Sequence, residues 1–393
     1  MHFIQRLGNV FKATFYFSNF FVLFVCGWLS APMALAQEHP SWVRRTINRM
    51  ITDSTAPGKP SFRVYPTMGY SPETSVELGL SSMLLFQAKN DTLNRLSEVT
   101  AFTFFTLESQ YGIWFDNFIY GDKDKWALLG RTRFQRFPLL YYGSGPATSG
   151  DNPAVVDAMY IQARQRLLRK LVKNFFVGPQ VDFQNLYNTR FKQPTEGQPF
   201  ELPLGHEGST SLGLGVSVVY DNRHNVLNVR KGLFSELSFL SYRKSWASRY
   251  NFDGITFDNR VFRPINRRDV LAWQVYGSFM WGNVPFNMKS LLGGDMIMRG
   301  FYQGRYRDNN LVSTQLEYRM LPFGFSKRIG GTVFAAAGAV APKLGQLNVR
   351  QFVYAAGVGL RYLMFPKKDI FLRADMGLTS EGPGFYIITG EAF

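Results

Sequence analysis

The stretch Val312-Ser313-Thr314-Gln315-Leu316-Glu317-Tyr318-Arg319-Met320 carries the pattern that fixes the architecture. Side chains alternate across an extended chain, so Val312, Thr314, Leu316, Tyr318 and Met320 share one face, and Ser313, Gln315, Glu317 and Arg319 share the other. The same period of two runs through Leu212 to Tyr220, where Leu212, Leu214, Val216, Val218 and Tyr220 alternate mostly with Gly213, Gly215 and Ser217. It returns in Ile370 to Leu378, where apolar positions oppose Phe371, Arg373, Asp375 and Gly377. A soluble sandwich gives this local pattern with its greasy face inward. Three features point the greasy face outward, to lipid. The strands are long, about ten residues against the five or six of soluble sheets. Aromatics crowd the strand ends, at Tyr141-Tyr142, Trp281, Phe301-Tyr302 and Phe323 to Phe325, as interfacial girdles do. Phe393 falls inside a final candidate strand.

Composition agrees. Of 393 residues, 16% are aromatic and only 18% charged, which excludes a disordered chain. Beyond the first 36 residues no apolar run reaches the roughly 18 residues of a spanning helix. One cysteine, Cys26, and four histidines exclude a zinc cage, a disulfide framework or a cysteine redox pair, so no metal and no cofactor is expected. The net charge is +16, or +14 without Arg6 and Lys12 of the first 36 residues, a balance that suits a lipopolysaccharide-rich surface.

Sixteen strands are expected: 62–70, 75–88, 98–108, 111–120, 125–136, 157–170, 174–187, 210–221, 232–242, 248–262, 270–282, 311–321, 328–339, 352–364, 368–378 and 384–393. Strand 248–262 alternates poorly and is expected to hold a bulge. The connections 137–156, 188–209 and 283–310 are long and share one side, while those on the other side are short. This is the asymmetry of external loops and periplasmic turns. Closure follows because every backbone N–H and C=O in lipid needs a partner. The expected fold is therefore all-β, a sixteen-stranded antiparallel transmembrane β-barrel over 60–393.

The first segment reads as an export signal. Arg6 and Lys12 form its basic start, Phe20 to Leu29 its apolar core, and Ala34-Leu35-Ala36 its cleavage site. Residues 1–36 are thus expected to be a cleaved signal peptide, and 37–59 a short periplasmic tail with a basic patch of Arg44, Arg45 and Arg49. The expected location is the cell outer membrane.

In the longest expected loop, Gly293-Gly294-Asp295 precedes Met298-Arg299-Gly300-Phe301. This resembles the R-G-F/Y motif in the sixth external loop of the BamA/TamA-like outer-membrane barrel superfamily, also called the bacterial surface antigen family. Tyr220 to Asn225 with Arg230-Lys231-Gly232 is similar to the family's turn between strands eight and nine. Leu316-Glu317-Tyr318-Arg319 resembles its E-Y-R strand, Phe137 to Gly145 resembles a loop of shorter members, and Gly390-Glu391-Ala392-Phe393 fits its last strand. The resemblance covers about 60–393. It implies that Arg299 folds back into the lumen onto an acid, a role for which a planar guanidinium is suited. Glu317 is the first candidate partner, with Asp375 and Asp221 behind it. Gly300 would permit the close approach. Phe393 would belong to a barrel-assembly signal. One departure is visible: in the segment matching the family's F-x-D-x-G, Ala336 stands where the acid would be, so the latch is expected to be weaker or differently partnered.

A second departure lies before the barrel, where 37–59 is too short for the periplasmic POTRA modules the family carries. The resemblance implies a barrel-only member, in outer-membrane biogenesis by inserting or translocating a protein or lipid client. Outer-membrane lipid or lipopolysaccharide, and a separate periplasmic protein, are the expected partners; nucleic acid is not. The seam between the first and last strands would be weak, loosened by Pro60, Pro66, Gly382, Pro383, Gly384 and Gly390. A passive or substrate-specific channel is the alternative, since Glu317, Arg319, Arg361, Arg373 and Asp375 line a lumen in either case. A membrane-embedded hydrolase is the third reading. It lacks support because Gly143-Ser144-Gly145 has no G-x-S-x-G frame and neither His206 nor His224 sits in a recognisable catalytic neighbourhood. The chain is therefore not expected to be an enzyme.

Overall fold

The computed structural model describes residues 59–393, apart from 195, 198, 224–227 and 367–368. The expected signal peptide, nearly all of the expected tail, and His224 lie outside the described residues. Sixteen long strands form one closed antiparallel barrel. They are β1 (Ser61–Ser71), β2 (Ser75–Gln87), β3 (Leu96–Thr106), β4 (Tyr111–Tyr120), β5 (Trp126–Arg136), β6 (Ala154–Val172), β7 (Phe175–Lys192) and β8 (Ser209–Asp221), followed by β9 (Gly232–Tyr242), β10 (Phe252–Pro264), β11 (Asp269–Gly282), β12 (Asn310–Met320), β13 (Ile329–Ala341), β14 (Val353–Phe365), β15 (Ile370–Thr379) and β16 (Gly382–Thr389). A short segment, Leu139–Tyr141, resumes the β5 edge against β6 after the break at Pro138.

Alternation sorts the two faces. On β12, Leu316 is exposed while Gln315, Glu317 and Arg319 are buried. On β8, Leu214 and Val216 are exposed and Ser211 and Ser217 buried. Register partners share a face, so the inward set continues around the wall, as in Ala272↔Glu317↔Phe334↔Gly357. The outward face is a band of exposed apolar side chains such as Phe62, Leu80, Phe115, Leu167, Val216, Val333 and Leu360. Acyl chains satisfy such a band, and water does not.

Several sequence expectations change. The bulge expected in 248–262 is absent: β10 pairs in unbroken register with β9 and β11. Register shifts occur instead between Asp157 and Met159, between Lys170 and Val172, and between Leu363 and Phe365. Tyr141, Tyr142 and Phe301 are not girdle residues; they are buried where loops pack on one another. The last strand does not run to Phe393. β16 stops at Thr389, and Gly390, at φ +93°, turns the chain inward. Phe393 then lies near Phe262, with ring centroids 6.2 Å apart, in a buried cluster with Val229, Val270, Ala272 and Ala392.

One junction differs from the rest. β1 and β2 register through eleven consecutive pairs, and β15 and β16 through eight. β1 and β16 register through a single pair, Tyr70↔Ile387. Carried on, that register sets Thr389 opposite Met68, and β16 has no residue beyond.

Candidate functional site: the inward loop and the seam

The connection between β11 and β12 (283–309) holds a small hairpin, Ser290–Leu292 against Tyr306–Asp308. From it the Met298-Arg299-Gly300-Phe301 segment reaches the lumen. Met298 and Phe301 pack with Leu311, Ala336, Val340 and Ala355 of the wall. Ala336 is thus part of the apolar seat of the loop, which a carboxylate would disrupt.

Arg299 is fully buried, as is Glu317. Its Nη2 donates to Glu317, and its Nη1 donates to Asp375 Oδ2 at 2.6 Å. The face of the guanidinium lies 3.7 Å from the Phe334 ring centroid. Where Ala336 offers no charge, an aromatic face and an acid two strands further on hold the cation. Around this pair the charges interlock. Arg319 Nε donates to Glu317 at 2.8 Å, Arg361 bridges Asp375 and Glu391, and Arg373 joins Asp375 to Asp295. Four guanidiniums therefore face four carboxylates, the arrangement a buried charge cluster needs to offset its desolvation. The third candidate partner, Asp221, is not among them. It sits at the short-turn end, bound by Arg223 and Arg95, far along the wall from Arg299.

Backbone clearance makes this possible. Gly300 has φ +114°. A Cβ on Gly377 would strike the Arg299 carbonyl, and one on Gly384 would come within 3.0 Å of Gly300 Cα. The wall glycines thus leave room for the loop backbone. Gly384, expected to loosen the last strand, serves this approach.

The loop also spans the seam. On one side the Tyr386 hydroxyl of β16 accepts from Gly300 N–H at 3.0 Å and donates to the Phe301 carbonyl at 3.2 Å. On the other, Glu73, in the turn between β1 and β2, accepts from Gln303 N–H at 2.7 Å. Burial pushes the Glu73 carboxyl above its ordinary range, and the Gln303 N–H pulls it back. Further out, Arg305 binds Glu381 in the turn between β15 and β16 and donates to Thr148. Gly145 N–H donates to the Arg307 carbonyl at 2.9 Å, so the Phe137 to Gly145 motif packs on the same loop.

Tyr386, Glu73, Glu391 and Phe334 were not singled out as site residues by sequence. Alternation alone puts Tyr386 on the inner face, but nothing in one sequence says that a loop arrives there. Gly390-Glu391-Ala392-Phe393 sends Glu391 to Arg361 at 2.9 Å and the Phe393 carbonyl to Arg319 at 3.1 Å. His206 Nδ1 lies 3.1 Å from the Pro203 carbonyl of its own loop. Among the described residues no group of three or more His, Cys, Asp or Glu side chains is placed to hold a metal ion.

Comparison with known proteins adds a match over part of the chain. The model of the Omp85 superfamily domain matches residues 173–364. Among solved structures, the barrel is similar to BamA from Haemophilus ducreyi lacking POTRA domains 1–3, at TM-score 0.55 and 15% identity over 84% of this chain and 70% of that one. It is also similar to CdiB from Escherichia coli, at TM-score 0.53 and 11% identity over 88% of this chain and 68% of that one. A third is CdiB from Acinetobacter baumannii, at TM-score 0.51 and 11% identity over 84% of this chain and 65% of that one. The chain thus spans about two thirds of the length of these structures, and the likeness is one of fold. No curated protein matches the sequence significantly. Residues 173–364 thus match the Omp85 superfamily domain, and the sixteen-stranded barrel shares its fold with BamA and CdiB.

Proposed function

We propose that this barrel works in outer-membrane biogenesis by passing a protein or lipid client into or across the membrane at the junction of β1 and β16. The observation that carries the reading is the single register pair, Tyr70↔Ile387, at that junction. A sheet is separated by breaking its ladder, and each intact neighbour here has at least eight pairs to break. Strand edges in lipid recruit other strands, because an unmet backbone group costs several kcal/mol there (about 4–8 by hydrocarbon transfer). A β-rich client can therefore exchange its own edge for that of β1 or β16. The loop from 283 to 309 supports the same reading, since it anchors to β16 through Tyr386 and to the β1–β2 turn through Glu73. It holds the two sides of the seam without adding a ladder.

Depletion of the protein, followed by an inventory of outer-membrane proteins and lipids, tests the reading. Loss of a defined set of barrels or lipids is expected. An unchanged inventory contradicts it. Planar-bilayer recording separates the channel reading, because a large, steady open pore is a channel's signature and a plugged, flickering one is expected here.

A further inference from the structure

The lumen is not uniform. Against β12 to β16 it is filled by the inward loop, and Arg299, Arg319, Arg361 and Arg373 there are buried. Against β4 to β8 the inward-facing arginines remain partly accessible. Arg131 on β5 is exposed although it faces the interior. A second arginine band lies here, formed by Arg131 and Arg133 on β5 and Arg164 and Arg166 on β6. Arg133 binds Asp116 at 2.8 Å, Arg164 binds Asp182 at 2.9 Å, and Arg166 pairs with Glu236. Among the described residues, Arg131 alone in this band has no hydrogen bond or ion pair, and the charges that act on it are Arg133, Asp116, Arg164 and Arg166. Register places Arg131 beside Arg164, and Arg166 beside Gln180.

Beside the band, buried polar groups are left without partners. Gln180 is 2% exposed, and neither its amide nitrogen nor its oxygen is hydrogen-bonded. Its neighbour Ser217 is fully buried with an unpartnered hydroxyl, and Arg164 Nε and Arg166 Nε are also unused. Native interiors rarely leave such groups unmatched, so a site of this kind is completed by water or a ligand.

We propose that the open half of the lumen holds an oxyanion site, with Arg131 as its anchor and Arg164, Arg166, Gln180 and Ser217 as further donors, that takes a phosphate group. A single uncompensated guanidinium beside neutral donors selects a tetrahedral oxyanion over a halide, because the planar fork gives two directed hydrogen bonds. The same group arrives either as free phosphate or on a phosphorylated head group. The site stands independently of whether the seam opens.

The test uses the full chain purified in detergent, with binding measured by calorimetry against inorganic phosphate, and against chloride at matched ionic strength. Phosphate binding with at least a tenfold preference over chloride is expected, and Arg131→Gln should weaken it at least tenfold while Arg131→Lys retains part of it. Arg260→Gln, whose arginine is closed on Asp258, should leave it unchanged. If Arg131→Gln does not fold, Gln180→Leu serves in its place, with at least threefold weakening expected. Glycerol 3-phosphate and a short-chain phosphatidylglycerol form the second arm: tighter binding than inorganic phosphate assigns the site to head groups, and weaker binding assigns it to free phosphate. No preference over chloride, or equal binding by the wild-type chain and the folded variant, overturns the proposal.

Discussion

Tyr386 of β16 and Gly300 of the inward loop are joined by a hydrogen bond of 3.0 Å, the Gly300 N–H donating to the tyrosine hydroxyl. The same hydroxyl donates to the next carbonyl, that of Phe301. The strand that closes the barrel is thus fastened to a loop as well as to its neighbour. Tyr386→Phe keeps the ring and removes both bonds; the Phe301 carbonyl keeps the Gly294 N–H at 3.0 Å, and the Gly300 N–H is left unmatched at a cost of about 1–3 kcal/mol. Hydrogen exchange should show faster opening of 298–303 while the strands β3 to β11 stay protected.

Arg299 shares Glu317 with Arg319, and Asp375 with Arg361 and Arg373. Arg299→Ala removes one partner from each carboxylate and leaves the others, so the cost is expected to fall below the about 3–5 kcal/mol of breaking an isolated buried pair. The urea midpoint in detergent, followed by the heat-dependent gel shift of the folded barrel, measures it. Arg299→Lys should recover only part, since an ammonium cannot serve Glu317, Asp375 and the Phe334 face together.

Phe334 carries the aromatic contact that stands in for the missing acid. Phe334→Leu keeps an apolar side chain and loses the ring, so stability should fall by about 0.5–2 kcal/mol. In an Arg299→Ala background the same change should cost less, and a double-mutant cycle reads the difference as the coupling between the two.

Gly377 sits where a side chain would collide with the Arg299 carbonyl. Gly377→Val should therefore lift the loop from the wall with the strands intact. Limited proteolysis should cut within 293–305, and conductance in a planar bilayer should rise above that of the wild-type chain.

Much of this was legible in one sequence, for physical reasons. Period-two alternation fixed the wall, because a residue such as Leu316 must meet lipid while Glu317 beside it cannot. The strand count and the side of Glu317, Arg319, Arg361, Arg373 and Asp375 follow from it. What alternation cannot show is where a loop lands. Tyr386, Glu73 and Phe334 were hidden for that reason, and Asp221 shares the inner face yet lies at the wrong depth. The end of β16 was misjudged because Glu391 and Phe393 continue the alternation formally, while Gly390 turns them into the lumen, where Arg361 and Arg319 hold them. Tyr141 and Phe301 looked like girdle aromatics, since an aromatic buried between loops and one at a membrane interface are identical in sequence.

The most direct measurement concerns the junction itself. In a chain carrying Cys26→Ser, Tyr70→Cys and Ile387→Cys are placed on the one registered pair between β1 and β16, and are oxidised to a disulfide in the membrane. The locked barrel is expected to fold, to fail in replacing the wild-type chain when the latter is depleted, and to recover when the bond is reduced. A fully locked barrel that restores the normal complement of outer-membrane proteins and lipids would contradict passage through this seam.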